Sequence, residues 1–309
     1  MNVVVVIPAC NEHHTLEALV DGIVGQLSAH DYRMLFIDDG STDTTYRTMM
    51  ELRKKNNRID VIKFSGNFGK TRALSVAFNG IEADVVVTMD ADLQDDPKEL
   101  PRLLAKLDEG LDLVCGWKEK RHDPIHKTLP SKVYNGLITR IFGIQIHDVN
   151  TGFKVMRGEV ARSLTLYADL HRLIPVMAAQ AGYTVGEIAV EHHPRRFGKS
   201  KYGMSRFYEG VRDAGRLWFG ARAARYGWID VERWRMASGL GLVLAMIGTL
   251  VTFSSLGGLM GPVLLVLGVL QTIISLALVI VGRLSQALGD LAEAEKAIPC
   301  IAEKHMGEA

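Results

Sequence analysis

Short apolar runs alternate with longer amphipathic stretches along the first two thirds of the chain. The runs are Val3 to Ile7, Met34 to Ile37, Val61 to Phe64, Val85 to Met89 and Leu111 to Cys115, with Thr184 to Val190 as a later one. Their length and β-branched content predict strands. Thr15 to Leu27, Thr44 to Lys55, Thr71 to Gly80 and Pro97 to Glu109 carry apolar positions at helical spacing. Strand and helix in alternation build a mostly parallel sheet with flanking helices, so the predicted fold class is α/β.

The pattern changes after residue 202. Met204 to Trp234 mixes aromatics with arginines and predicts amphipathic helices lying at a membrane surface, with Trp218, Phe219, Tyr226 and Trp228 at interfacial depth. Residues 236–282 contain no charged side chain. That length holds two spans of about 20 residues, and Gly257, Gly258, Gly261 and Pro262 supply a turn between them. A buried pair of core helices is the alternative, but soluble helices seldom lack charge on every face. The flanks favour a two-helix transmembrane hairpin: Arg195 to Arg235 holds 11 Lys/Arg against four acids, and Arg283 follows the second span. Positive flanks place both ends on the cytoplasmic side. The first apolar run has no basic segment before it and no cleavage site, so no secretory signal is expected. The expected organisation is a cytosolic domain over 1–202, juxtamembrane helices over 203–235, the hairpin over 236–283 and a cytosolic tail over 284–309 without catalytic work.

Composition adds limits. A length of 309 residues suggests about two domains. The net charge of +1 argues against nucleic acid as a partner. Cys10, Cys115 and Cys300 lack metal-ligand or redox-pair spacing, which fits a reducing compartment and neither a disulfide framework nor a zinc site.

In parallel α/β sheets ligands collect beyond the carboxyl ends of the strands. The residues there are polar: Pro8-Ala9-Cys10-Asn11-Glu12, Asp38-Asp39-Gly40-Ser41 and Asp90-Ala91-Asp92-Leu93-Gln94. On an extended chain, Asp90 and Asp92 point the same way, with Gln94 adding a third oxygen. Such hard ligands suit Mg2+ or Mn2+, and through it a nucleotide diphosphate. Equally, those acids serve as caps for the helix beginning near Pro97. Asp38 to Asp43 also has two readings, a capped helix start or a carboxylate accepting from a nucleobase. Gly66-Asn67-Phe68-Gly69-Lys70-Thr71 fails the spacing of a phosphate loop, which excludes an ATPase reading.

Five segments in order carry a resemblance: IPACNE at 7–12, DDGSTD at 38–43, MDADLQDDP at 89–97, DVNTGFKVMR at 148–157 and HHPRRFGKSKYG at 192–203. From about Val3 to Tyr202 the chain resembles glycosyltransferase family 2, in particular its dolichol-phosphate mannose synthases and bacterial polyprenyl-phosphate glycosyltransferases. The resemblance implies a GT-A fold in which Asp90, Asp92 and Gln94 hold the divalent ion on the donor diphosphate. It places Pro8, Asn11, Glu12, Asp38, Asp39 and Ala91 around the nucleotide-sugar, Asp39 reading the base. His193, Arg195 and Lys201 would close over the pyrophosphate, a basic stretch that also suits anionic lipid. Lys118, Lys127 and Ser131 match positions for the acceptor phosphate, with lysine where the family usually has arginine. Asp148, beside Asn150 to Gly152, falls at the acceptor end. Catalytic roles then go to Asp92, Asp148 and Arg195. The implied reaction is direct displacement by a polyprenyl phosphate oxygen, giving an inverted glycosyl phospholipid. The expected setting is the cytoplasmic membrane, with a second copy or a flippase as a further partner.

Other readings fit less well. A processive polysaccharide synthase would carry Gln-x-x-Arg-Trp, whereas the Arg-Trp here follows Val231-Glu232. A nucleotidyltransferase would have a glycine-rich loop after the first strand. A membrane-tethered binding scaffold without catalysis would not require the intact acidic triad.

Overall fold

The structure is a computed structural model that describes residues 1–119, 125–194, 212–215, 217, 240, 243, 246–247, 262–263, 265–280 and 300–306, with backbone alone for 125–133. Two compact units divide it: 1–214 with 298–309, and 215–297.

In the first unit, β1 (Asn2–Ala9), β2 (Asp31–Asp38), β3 (Ile59–Phe64) and β4 (Val85–Thr88) alternate with α1 (Leu16–Leu27), α2 (Thr45–Lys55) and α3 (Lys70–Gly80). A single 3-10 turn at Pro97–Glu99 opens α4 (Leu100–Asp108), followed by β5 (Leu113–Trp117), α5 (Ile125–Phe142), β6 (Lys154–Arg157), α6 (Gly158–Ser163), α7 (Ile174–Gln180), β7 (Val185–Ala189) and β8 (Ile301–His305). The sheet order is β7-β5-β6-β4-β1-β2-β3-β8. β1 pairs in parallel with β2 and β4, as β2 does with β3 and β5 with β7. β6 and β8 run antiparallel to their neighbours.

Val3 to Ile7 is buried on both faces of the sheet, as a central parallel strand requires. One face packs α1, α2 and α4 through residues such as Leu19, Ile23, Met49 and Leu103. The other packs α3, α6 and α7 through Leu74, Phe78, Val160 and Ile174. Strand order reverses beside β1, so the crevice at the carboxyl ends of β1, β2 and β4 is the expected ligand position.

The six predicted strands and the four helices predicted up to Glu109 are present, and five elements were not predicted: α5, β6, α6, α7 and β8. β6 inserts between β4 and β5, which sets the segment before it, Asp148 to Phe153, beside the end of β4. The tail expected over 284–309 is no free tail at residues 301–305: β8 closes the sheet edge against β3. Ser65 N–H donates to the Cys300 carbonyl at 2.8 Å, Tyr46 Oη to Glu303 Oε2 at 2.5 Å, Lys63 Nζ to Glu303 Oε1 at 3.0 Å and Arg53 Nη2 to the Met306 carbonyl at 3.1 Å. The interfacial helices and most of the charge-free run lie outside the described residues. Among the described residues no helix is long and apolar enough to cross a membrane.

Hydrogen bonds from Tyr46, Lys63 and His305 hold the Glu303 carboxyl down at about 2. A carboxyl that is more acidic folded than free favours the attached strand above its ordinary value near 4.5 and loses that contribution as pH falls toward 2. Glu303→Gln should flatten the acid limb of the unfolding curve between those values. Deleting residues 300–309 should lower the melting temperature by roughly 5 °C and expose the β3 edge to self-association, read by calorimetry and size exclusion.

Candidate functional site

Three loops meet at the carboxyl edge of β1, β2 and β3. Half-buried Pro8 is the last residue but one of β1, and Asn11 beyond the strand takes a left-handed φ of 60°. Asn11 N–H donates to Ser41 Oγ at 3.0 Å, and its Oδ1 accepts from Thr42 N–H at 2.9 Å. Glu12 N–H donates to Thr45 Oγ1 at 2.9 Å. Gly40 has φ 69°, and a Cβ there would fall 2.3 Å from the Gly66 carbonyl carbon, so the loop after β2 admits glycine alone. Asp38 is 1% exposed and accepts from Ser41 N–H at 3.1 Å. Asp39 accepts from Phe68 N–H at 2.7 Å and Gly69 N–H at 2.9 Å, while Asn67 Nδ2 donates to the Asp39 carbonyl at 3.2 Å. The segment after β3 is thereby fixed to the segment after β2. Asp43, by contrast, does what a helix start does: it accepts from Thr45 N–H at 2.8 Å and pairs with His13 at 2.7 Å.

The acidic end lies next to these loops. After β4 the chain turns with Leu93 at φ 59°, so Asp90 and Asp92 do not stand on an extended strand as expected. Asp90 is paired with Lys70 Nζ at the start of α3. Ala91 is buried, and buried Asp92 accepts from Gln94 N–H at 3.1 Å through Oδ1. Gln94 Nε2 lies 3.4 Å from His192 Nε2, and His193 N–H donates to the Gln94 carbonyl at 2.9 Å. Through β6, Gly152 reaches Asp90 so closely that a Cβ would lie 2.4 Å from Asp90 Oδ2. Thr88 Oγ1 fixes the Gly152 carbonyl at 2.8 Å. Asp148, 2% exposed, is buried in the same region.

Lysines offset these acids. Burial works to raise the Asp90 carboxyl, yet Lys70, Lys118 and Lys154 hold it well below the ordinary carboxylate range. Lys118 Nζ lies 2.8 Å from Asp95 Oδ1, whose side chain is 0% exposed. Desolvation opposes the Lys118 charge, but Asp95, Asp90 and Asp148 raise its proton affinity above the ordinary lysine value. Lys154, in β6, donates to the Thr151 carbonyl. Burial, with Lys70 adding to it, pushes this ammonium down to about 8 although Cys115, Asp90 and Asp148 act the other way. His171 Nδ1 is 2.7 Å from Thr71 Oγ1, and burial beside Lys70, Arg172 and Lys154 holds its ring neutral, well below 6.5.

The structure therefore brings together Pro8, Asn11, Glu12, Asp38, Asp39, Asp90, Ala91, Asp92, Gln94 and Asp148. Lys118 belongs to the same cluster, where it pairs with buried Asp95. Lys127 and Ser131 lie on the backbone of α5 with side chains outside the described residues, as Arg195 and Lys201 are entirely. Sequence reasoning missed Lys70, Lys154, His171 and Asp95. Lys70 stood in the segment dismissed as a phosphate loop, and Lys154 stood inside the quoted DVNTGFKVMR. A further group, Asp96, Glu191 and His193, gathers ligand atoms within 4.8 Å of one another.

The sequence matches the family described as glycosyl transferase family 2 over residues 4–165. The chain belongs to this family. It is 34% identical to the dodecaprenyl-phosphate galacturonate synthase of Rhizobium johnstonii, over 67% of this chain and 64% of that one. It is 32% identical to the undecaprenyl-phosphate 4-deoxy-4-formamido-L-arabinose transferase of Edwardsiella ictaluri, over 65% of this chain and 62% of that one. Each match thus spans a little under two thirds of the relative's length. Among solved structures, mannosyl-3-phosphoglycerate synthase of Rubrobacter xylanophilus superposes with TM-score 0.55 at 18% identity, covering 74% of this chain and 75% of that one. Glucosyl-3-phosphoglycerate synthase of Mycobacterium tuberculosis, solved with Mn2+ and UDP-glucose, gives 0.53 at 20% identity, covering 73% and 79%. At such identities the likeness is one of fold, the GT-A type of glycosyltransferases.

A buried ion pair broken on one side leaves an uncompensated charge, at about 3–5 kcal/mol. Lys118→Met should therefore destabilise the domain by that amount in chemical denaturation. A solvated phosphate-binding lysine would leave the unfolding midpoint unmoved.

Proposed function

We propose that this family member is a membrane-anchored inverting glycosyltransferase that moves a sugar from a UDP- or GDP-linked donor to a polyprenyl phosphate. One observation carries the reading: the Asp90 to Gln94 turn is set against Gly152 at the sheet edge, and Lys118 and Lys154 feel both Asp90 and Asp148, with Lys70 paired to Asp90. The names of the two curated relatives, both polyprenyl-phosphate sugar enzymes, support the acceptor class.

The donor set fits a hard divalent ion. Asp92 is buried and Asp90 stays ionised, both offer oxygen, and the nearby Cys115 thiol is pushed up by burial to about 12 and so gives no thiolate. Asp90, Asp92 and Gln94 would hold Mg2+ or Mn2+, which when bound stabilises charge on the departing nucleotide diphosphate. The Mn2+ and UDP-glucose in the neighbouring structure accord with that choice. The residues of the chain do the positioning. Loops after β1 and β2 bind the nucleoside, with Asp39 accepting from the base. Lys70, a compact ammonium on a flexible stem, supplies counter-charge to the diphosphate. Arg195 and Lys201 are assigned to the same phosphates, and Lys127 and Ser131 to the acceptor. A phosphate monoester is already anionic at neutral pH and needs placement rather than deprotonation, so Asp148 is assigned to orientation near the anomeric carbon.

The membrane reading has support from the second unit. Over residues 265–280 the helical pattern is inverted: Val266, Leu267, Leu270, Ile273, Ile274 and Ile280 are 49–59% exposed, whereas Ser275 is 0% exposed. Gln271 Nε2 donates to Ser275 Oγ at 3.1 Å, and Thr272 Oγ1 to the Gly268 carbonyl at 2.8 Å. Small and polar groups inside with large apolar groups outside suits lipid and not water. Because residues 298–306 return to the sheet that residues 1–214 build, any crossing between them occurs an even number of times. This agrees with a hairpin whose two ends face the cytoplasm.

The test is transfer from radiolabelled UDP- and GDP-sugars into organic-extractable lipid by purified protein with polyprenyl phosphate. Label should enter lipid, fall to background when the divalent ion is chelated, and drop at least about a hundredfold in Asp92→Ala. Asp148→Asn should lower kcat with donor KM little changed. Tight nucleotide binding with no transfer from any donor would favour a tethered scaffold instead.

A further inference from the structure

We propose that Phe68 is the platform on which the nucleobase of the donor stacks, an inference that rests on the nucleotide-sugar reading above. Phe68 is 41% exposed, on a loop that is otherwise held at every step. On one side, Asn67 Nδ2 reaches Cys10 Sγ at 3.3 Å and the Asp39 carbonyl at 3.2 Å. Phe68 N–H itself, with Gly69 N–H, is bound to the Asp39 carboxylate. Gly69, at φ 87°, then turns the chain so that Lys70 meets Asp90. The segment from Gly66 to Lys70 thus bridges the carboxylate assigned to the base and the carboxylate assigned to the diphosphate. Among the described residues its ring meets one other aromatic ring: Phe64 stands edge-on at 5.9 Å and 86°.

Apolar exposure alone would be unremarkable, since single exposed hydrophobics are common. What distinguishes Phe68 is that its backbone is fixed by the same carboxylate that the donor reading assigns to the edge of the base. An aromatic face beside an edge-reading carboxylate divides recognition in two: stacking holds any planar base, and the carboxylate selects among them by their N–H groups.

The experiment uses the full-length protein in detergent with Mn2+, titrated calorimetrically with UDP, GDP and inorganic pyrophosphate. Phe68→Ala and Phe68→Leu should weaken the preferred nucleotide about tenfold or more, leave pyrophosphate binding unchanged, and keep the melting temperature of the parent. Phe68→Tyr should restore affinity. Phe68→Trp should gain an indole signal that the nucleotide quenches and pyrophosphate does not. Equal nucleotide affinity in the parent and Phe68→Ala overturns the platform while leaving the donor reading intact. Absence of UDP and GDP binding in the parent overturns both.

Discussion

Acidic groups gathered at the end of a buried sheet repel one another, and the candidate site depends on how that repulsion is offset. Asp92, Asp95 and Asp148 are 6%, 1% and 2% exposed, so water screens them little. Two like charges 4 Å apart repel by about 4 kcal/mol at an effective dielectric near 20. The chain answers with Lys70 from α3, Lys118 from the end of β5 and Lys154 from β6. Because each cation comes from a different element, the ionised state of the site and the assembly of the domain are one condition. Three ammonium groups rather than guanidinium forks also leave the site adaptable: a point charge can leave a carboxylate for a phosphate without breaking a fixed bidentate geometry.

Packing sets a second condition, visible at two glycines. Gly40 admits no side chain because the Gly66 backbone occupies the space, which joins the second and third loops. At Gly152 a side chain would have to displace the Asp90 carboxylate, a close approach that joins the segment before β6 to the end of β4. The two approaches fix the loop end and the acidic end of the sheet edge. Loop Gly66 to Lys70 is the connection between them.

The central strands were legible because they are buried on both faces and read as unbroken apolar runs. β6 was not, since four residues that begin with lysine and end with arginine carry no strand pattern; tertiary insertion between β4 and β5 makes them a strand. β8 was hidden for a related reason: Ile301 to Lys304 is exposed, so burial left no alternation to read. At the site, the carboxylates and the loops after β1 and β2 were legible from residue type and position at strand ends. The lysines were not. Spacing argued against a phosphate loop around Lys70, but spacing reports neighbours along the chain and says nothing of Asp90, twenty residues on. Lys118 was read through the resemblance as a cation for the acceptor phosphate, and its pairing with buried Asp95 is a contact that spacing along the chain does not report.

The position of β8 constrains how the chain is used. A domain that takes back the residues after an apolar segment closes that segment into a loop, whatever the loop traverses. On the proposed reading the loop enters the bilayer, and the acceptor arrives from that bilayer with a tail that cannot leave it. The phosphate of such an acceptor is confined to a plane, so the enzyme gains by being confined there too: search in two dimensions replaces search in three. Ser65 N–H, held by the Cys300 carbonyl, then has a second meaning. It ties the return of the loop to the residue that leads into Gly66 to Lys70, so the anchor and the donor-side loop share a strand edge.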